Sequence, residues 1–548
     1  MGLSAIPGLP PKREPPARDT ADGPRSASTD GGRGAAAVSL IIAVSTAAAL
    51  ALRLYQLSRP GYLLGVTQYD DGPYFGSAVR LVQGVLPYRD FTMVQPPGIT
   101  LLMAPAALLA KVAGTAWGMA AGRLLTVLAS AASVTMTGLL VRHRGVLAAA
   151  VACGIMTVYP ANLLAAHTVL VEPWLVLFCL AGALAVFDGD RLTASSRRLA
   201  WGGVASGFAG AVEAWGIFPV IVLAALALPA APPMPRFRRA AVFGGGVAVG
   251  FLVPVLPFAA IAPRGMYQSL VTAQINRVIP AATPIWSRLR RMTGAGQVFA
   301  MGNTAVLILA LAIVAFVVGA MLTAWLITRR PLAPLDWYAL ATTAMVLGAF
   351  LWYPQFFLHF PAFLAPFLSL ALALSAARLA AAVGRGRPEP GPGRRWAAAG
   401  VAGLAIVLIA FAQAGRFSEL LPRVQPGALA TARQIIPPGA CVATDQVSFL
   451  LAADRFNSDV PGCSLMVDGL ATDYVLSHGR DGNTGAGRVP AVAAVWRSAF
   501  AHAGYAWLSV RFNNRRIGWN PALLAYFRAH FEPVMRDGKL DILYARRH

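Results

Sequence analysis

Apolar runs long enough to cross a bilayer recur along most of this chain, and that recurrence restricts its fold more than any motif does. Residues 303–327 hold no charged side chain at all. About 20 apolar residues in a helix span the hydrocarbon core, where every backbone polar group must be satisfied within the segment. Composition agrees: 57% of the 548 residues are hydrophobic and 13% charged, with a mean hydropathy of +0.60, against about 25% charged in soluble domains. The pattern predicts a polytopic α-helical membrane protein rather than a soluble enzyme.

The net charge of +23 would suit a nucleic-acid partner, but its distribution argues against one. Basic residues cluster between apolar runs, at Arg142–Arg144, Arg191–Arg198, Arg236–Arg239, Arg329–Arg330 and Arg385–Arg395. Short basic loops of this kind hold a membrane topology. Taking these clusters as cytoplasmic, the crossings fall at 36–57, 118–141, 145–160, 172–187, 199–213, 216–230, 240–262, 303–327, 335–352, 358–380 and 397–414, eleven in all. Residues 97–113 then form a re-entrant or interfacial helix, since a full crossing there would put two basic clusters outside. The stretch 199–230 divides near Glu213, Trp215 and Pro219.

Three regions follow. Residues 1–35, rich in Pro, Gly, Arg and Ser, read as a disordered basic cytoplasmic tail. An uncleaved anchor at 36–57 fits better than a signal peptide, because its apolar part is long. Residues 36–414 form the membrane domain, with outer loops at 58–117 and 263–302. Residues 415–548 form a small external α/β domain, with strands at 440–445, 505–510 and 540–545 and helices at 491–504 and 522–531. The multi-pass protein would lie in the plasma membrane, N-terminus cytoplasmic and C-terminal domain extracytoplasmic. Cys153 and Cys179 sit in apolar runs as packing residues. Cys441 and Cys463 are either disulfide-bonded, if their domain meets an oxidising compartment, or two free thiols.

Acidic residues are scarce in the membrane part, so their positions carry information. Asp70, Asp71 and Asp90 fall in the first outer loop, where Tyr74, Ala78, Val82 and Leu86 share one face of a surface helix. Asp71 precedes Gly72-Pro73 and either caps that helix or joins the chemistry. Asp70 is therefore the better candidate base for a hydroxyl. Glu172 begins a span on the same outer side, with His167 close before it. Tyr353, Gln355 and His359 form a polar-aromatic cluster at the outer end of two spans. The 263–302 loop places Arg264, Arg277, Arg288, Arg290 and Arg291 outside, against the topology rule. An anionic ligand or anionic lipid headgroups would account for them; Arg277 with Arg288 or Arg291 is the candidate phosphate clamp.

The segment YDDGPYFGSAVRLVQGVLPYRDFTMVQPPGITLL (69–102) resembles the first outer loop of GT-C fold glycosyltransferases. These are polyprenyl-phosphate-sugar-dependent membrane enzymes related to protein O-mannosyltransferases and to the aminoarabinose transferases of lipid A. The resemblance covers roughly residues 36–380. It maps the family's acidic pair to Asp70 and Asp71, its Pro-Pro to Pro96-Pro97, and its second acidic position to Glu172. It implies a hexosyl- or pentosyltransferase that takes a polyprenyl-phosphate-linked sugar and an acceptor that is a cell-envelope glycan, lipid or protein. Asp70, Asp71 and Glu172 would be catalytic, Arg277, Arg288 and Arg291 would bind the donor phosphate, and Asp90, Gln95, His167, Tyr353 and His359 would orient substrate. No cofactor is specified, and a divalent cation held by the acidic groups stays open. Two positions depart from the pattern: Gln95 stands where many relatives carry a charge before the Pro-Pro, and Glu213 where many carry Lys. A transporter or flippase of lipid-linked sugars is the rival reading, but such proteins place ionisable groups near the midplane of discontinuous helices.

Overall fold

The computed structural model describes residues 27–227, 235–275, 283–294, 301–385, 392–417, 426–478, 486–511, 513–538 and 540–547. Seven of its helices are long and apolar enough to cross a membrane, among them Asn303–Thr328 and Pro361–Val383. An eighth crossing forms if the helices α5 (Val146–Val158) and α6 (Pro160–Ala166) are one span bent by 53°. The bend falls at Tyr159, extended at φ −63°, ψ 122° because a following proline disfavours helical backbone. The other three expected crossings are shorter helices: α7 (Glu172–Val186), α8 (Ser196–Val212) and α9 (Ile217–Ala227), of 15, 17 and 11 residues. Among the described residues, length and composition alone thus support seven or eight crossings, and the expected eleven is not confirmed.

Helix α1 (Ala27–Leu57) starts earlier than expected, and residues 27–35 belong to it rather than to a tail. Extending a helix already fixed by a packed apolar stretch adds a hydrogen bond for each residue ordered. Residues 1–26 lie outside the described part. Helix α2 (Asp71–Val82) ends sooner than its apolar face predicted. Gln83-Gly84 turns the chain, with Gly84 at φ +84°, so Leu86 belongs to the following turn. Helix α3 (Gly98–Ala113), 16 residues long, packs against α2 and α4 (Thr115–Val141). Helix α10 (Arg236–Ile261) approaches α8 so closely that a Cβ on Gly207 would lie 2.1 Å from the Val247 carbonyl oxygen. Small residues permit this contact between apolar helices.

The C-terminal region carries a four-stranded sheet. Strands β1 (Phe187–Asp188) and β2 (Arg191–Leu192) form a separate short hairpin between α7 and α8. The sheet consists of β3 (Val442–Thr444), β4 (Tyr505–Ser509), β5 (Phe531–Asp537) and β6 (Asp541–Arg546), in the order β3-β4-β6-β5. Strand β3 runs parallel to β4, while the β4–β6 and β5–β6 pairs are antiparallel. Helices Pro490–His502 and Pro521–His530 match expectation; β5 and the helices Val447–Ala452 and Gly469–Leu476 were not foreseen. A disulfide joins Cys441 to Cys463. Residues 479–485 lie outside the described part.

This region docks directly on the first outer loop. A Cβ on Gly72 would meet the Ser448 backbone nitrogen at 2.6 Å, which explains the glycine after the acidic pair. Tyr69 Oη donates to Asp468 Oδ1 at 2.7 Å, and the Ala116 amide at the start of α4 donates to Asp454 Oδ1 at 2.8 Å.

Candidate active site

A cavity of about 1100 Å³ lies between the membrane helices and the C-terminal region. Its wall divides by chemistry. Gly207, Gly210, Val247, Phe251, Ile217 and Phe218 line an apolar part, while Asp70, Tyr74, Gln95, Glu172, Glu213 and His359 line a polar part.

Asp70 stands at the N-cap position of α2 but makes no side-chain cap bond there. Its side chain, 34% exposed, faces His359 Nε2 at 3.8 Å. The other ring nitrogen, Nδ1, meets Glu172 Oε1 at 2.5 Å. Glu172 begins α7 and is buried, with no hydrogen bond to Oε2 among the described residues. His359 lies in the connection before helix Pro361–Val383, stacked on Phe357. Burial works against its charge, but Glu172 first, then Asp70 and Glu213, outweigh this and raise its pKa above the usual value. Tyr74 projects from α2 into the same group. Burial first, then the carboxylates of Asp70, Glu213 and Glu172, push its phenol well above the ordinary range, and Gln95 Nε2 lies 3.4 Å from its oxygen. Tyr353 also lines the cavity, edge-on to Trp215.

Asp71 does not cap α2. It is the first helical residue, wholly buried, and its Oδ2 accepts from Arg123 Nη2 at 2.6 Å and from Thr168 Oγ1 at 2.7 Å. That bond network places it behind the cavity wall, where it fixes the loop that presents Asp70. His167 is likewise buried off the lining, its ring against Tyr62. Asp90 accepts from the Leu86 amide at 2.7 Å and pairs with Arg89, closing the turn after α2 rather than entering the cavity. Arg288 donates to the carbonyls of Thr283, Phe350, Leu351, Tyr353 and Pro354 at 2.6 to 3.2 Å. Its fork is thereby engaged in holding the Tyr353 loop. Arg291 does not reach the lining, and Arg277 lies outside the described residues. Among the described residues no group of three or more His, Cys, Asp or Glu is arranged to hold a metal ion, so the cation left open by the sequence finds no ready-made ligand set.

Several lining residues were not among the site residues expected from the sequence. Glu213 ends α8 and Trp215 follows it; their position at the break in 199–230 was the available signal. Tyr69, Asp468, Arg515 and Arg516 meet across some 400 residues of chain, and nothing local announces that.

The architecture is that of a multi-pass helical membrane protein with the GT-C fold. Two crystal structures of ArnT from Cupriavidus metallidurans share it. The apo form matches with a TM-score of 0.57 at 13% identity, and the form bound to undecaprenyl phosphate with 0.56 at 14%. Each match covers 92% of this chain and 97% of ArnT. No family model and no curated protein sequence matches the chain.

Proposed function

We propose that this protein is a membrane glycosyltransferase that moves a sugar from a polyprenyl-phosphate donor to a hydroxyl of a cell-envelope acceptor on the extracytoplasmic side. The observation that carries this reading is Asp70: a carboxylate open to a cavity lined by both polar and apolar residues, backed by the His359–Glu172 pair. The apolar part suits a prenyl chain, and the polar part a sugar and its acceptor. The undecaprenyl phosphate bound in one ArnT structure supports a donor of the same chemistry here.

The reaction needs little beyond proton and charge handling. The acceptor hydroxyl gives its proton to Asp70 as its oxygen attacks the anomeric carbon. The bond from that carbon to the phosphate oxygen breaks, and its electron pair leaves on the phosphate. Positive charge gathers on the sugar ring in an oxocarbenium-like state, which the surrounding carboxylates favour. His359, whose charged form is favoured by its acidic neighbours, faces Asp70 across the cavity wall.

A flippase is less well supported. Asp70, Glu172, Glu213 and His359 all sit at helix ends or in connections, not in mid-helix. The disulfide supports an external C-terminal region, since such bonds persist in oxidising compartments.

The test is sugar transfer by purified protein from a panel of polyprenyl-phosphate sugars to extracted envelope acceptors. Asp70→Asn should reduce turnover by about 10²- to 10⁴-fold with an unchanged melting temperature. Undiminished transfer would remove Asp70 as base, and movement of lipid-linked sugar across proteoliposomes without transfer would favour the flippase.

A further inference from the structure

The C-terminal region contributes two adjacent arginines to the cavity, and their surroundings differ. Arg516 is buried. Its Nη1 donates to Gln446 Oε1 at 2.8 Å and lies 3.5 Å from Asp445 Oδ2, and its guanidinium lies 3.9 Å over the Tyr69 ring. Gln446 in turn reaches the Gln68 carbonyl at 3.3 Å. Arg516 thus clasps the residues that lead into Asp70. Arg515 is exposed, lines the cavity, and makes no ion pair or side-chain hydrogen bond among the described residues.

Charge and donor geometry single out Arg515. Among the described lining residues the carboxylates are Asp70, Glu172, Glu213 and Asp468, and the only arginines or lysines are Arg515 and Arg516. A phosphate entering this acidic surround needs a cation with donors still available. Arg288 cannot supply it, because backbone carbonyls hold its fork. Arg516 is held by Gln446, Asp445 and Tyr69. Among the described lining residues Arg515 is the remaining fixed cation, and it faces the same space as Asp70.

We propose that Arg515, carried by the C-terminal region, binds the phosphate of the ligand in this cavity, and that Arg516 is a positioning residue. The inference deepens the transferase reading and rests on it. It makes the C-terminal region part of the binding site, so that a helical domain without it would lack its phosphate contact.

The experiment uses the full chain in nanodiscs of zwitterionic lipid. Binding of undecaprenyl phosphate, uncharged undecaprenol and inorganic phosphate is followed by tryptophan fluorescence for wild type, Arg515→Gln and Arg515→Lys, with transfer assayed alongside. Arg515→Gln should weaken undecaprenyl phosphate by about tenfold or more, leave undecaprenol unchanged and keep the melting temperature. Arg515→Lys should recover part of the loss and keep a salt dependence that Arg515→Gln lacks. Inorganic phosphate should compete in wild type and lose that competition in Arg515→Gln, which separates headgroup from chain. Equal binding by wild type and Arg515→Gln, with transfer intact, would overturn the role of Arg515 and leave the transferase reading standing. Wild type that binds undecaprenyl phosphate no better than undecaprenol, and transfers nothing, would overturn both.

Discussion

His359 couples the two carboxylates on which the proposed chemistry depends. Its Nδ1 is held by Glu172 and its Nε2 lies 3.8 Å from Asp70. Two unit charges about 4 Å apart interact by about 4 kcal/mol at an effective dielectric near 20, so even a screened fraction biases Asp70 toward its ionised form. His359→Gln removes the positive charge while keeping a polar side chain. Asp70 should then take up its proton at higher pH, and the acid limb of kcat/KM should move upward in pH. An acid limb that stays in place would show that His359 only packs. Glu172, Tyr353 and His359, which line the cavity, were legible as polar residues at the outer ends of apolar runs, Asp70 as a carboxylate in the first outer loop, and Gln95 only through the family resemblance. Asp71 was legible as important but not in its role. Its partner Arg123 lies 52 residues away, and neither spacing nor composition pairs them. Arg288 misled for a related reason: an arginine on an unexpected side suggests an anion, yet carbonyls at the end of a neighbouring helix satisfy it equally well.

The element most dependent on buried charge is α2. Asp71 and Arg123 are both fully buried, and Arg123 also donates to the carbonyls of Tyr62 and Leu63 at 2.6 and 2.8 Å. One guanidinium therefore ties the chain entering the first outer loop, α2 and α4 together. Removing one member of a buried pair leaves the other charged and unpaired, at a cost of about 3–5 kcal/mol. Arg123→Met should lower the melting temperature in detergent by several degrees and reduce transfer, because the loop carrying Asp70 loses its anchor. Arg123→Met combined with Asp71→Asn should recover part of the stability, since no buried charge is stranded; an additive loss would point to packing instead. Elements were most legible where periodicity or apolar length was strong, as in Asn303–Thr328 and the helices of the C-terminal region. Short helices such as Val447–Ala452 and the strand β5 were hidden, because their formation depends on docking and on the pairing of β5 with β6 rather than on local pattern.

At the scale of the whole molecule, the C-terminal region completes the cavity wall by folding back onto the first outer loop. Tyr69, Gln68 and the start of α4 all bond to residues beyond 445, so the two parts share one side of the membrane. The redox state of Cys441 and Cys463 therefore reports the side on which the cavity opens. Their bond closes a sequence separation of 22 residues, for which chain-entropy reasoning gives about 3 kcal/mol of stabilisation. The other two cysteines, Cys153 and Cys179, are buried and free. Protein taken from native membranes, quenched in acid to stop thiol exchange, denatured without reductant and titrated for thiols should show two reactive groups per chain, rising to four after reduction. Four before reduction would mean that the C-terminal region had matured in a reducing compartment. The cavity, Asp70 and Arg515 would then face the cytoplasm, and any acceptor would have to be sought there.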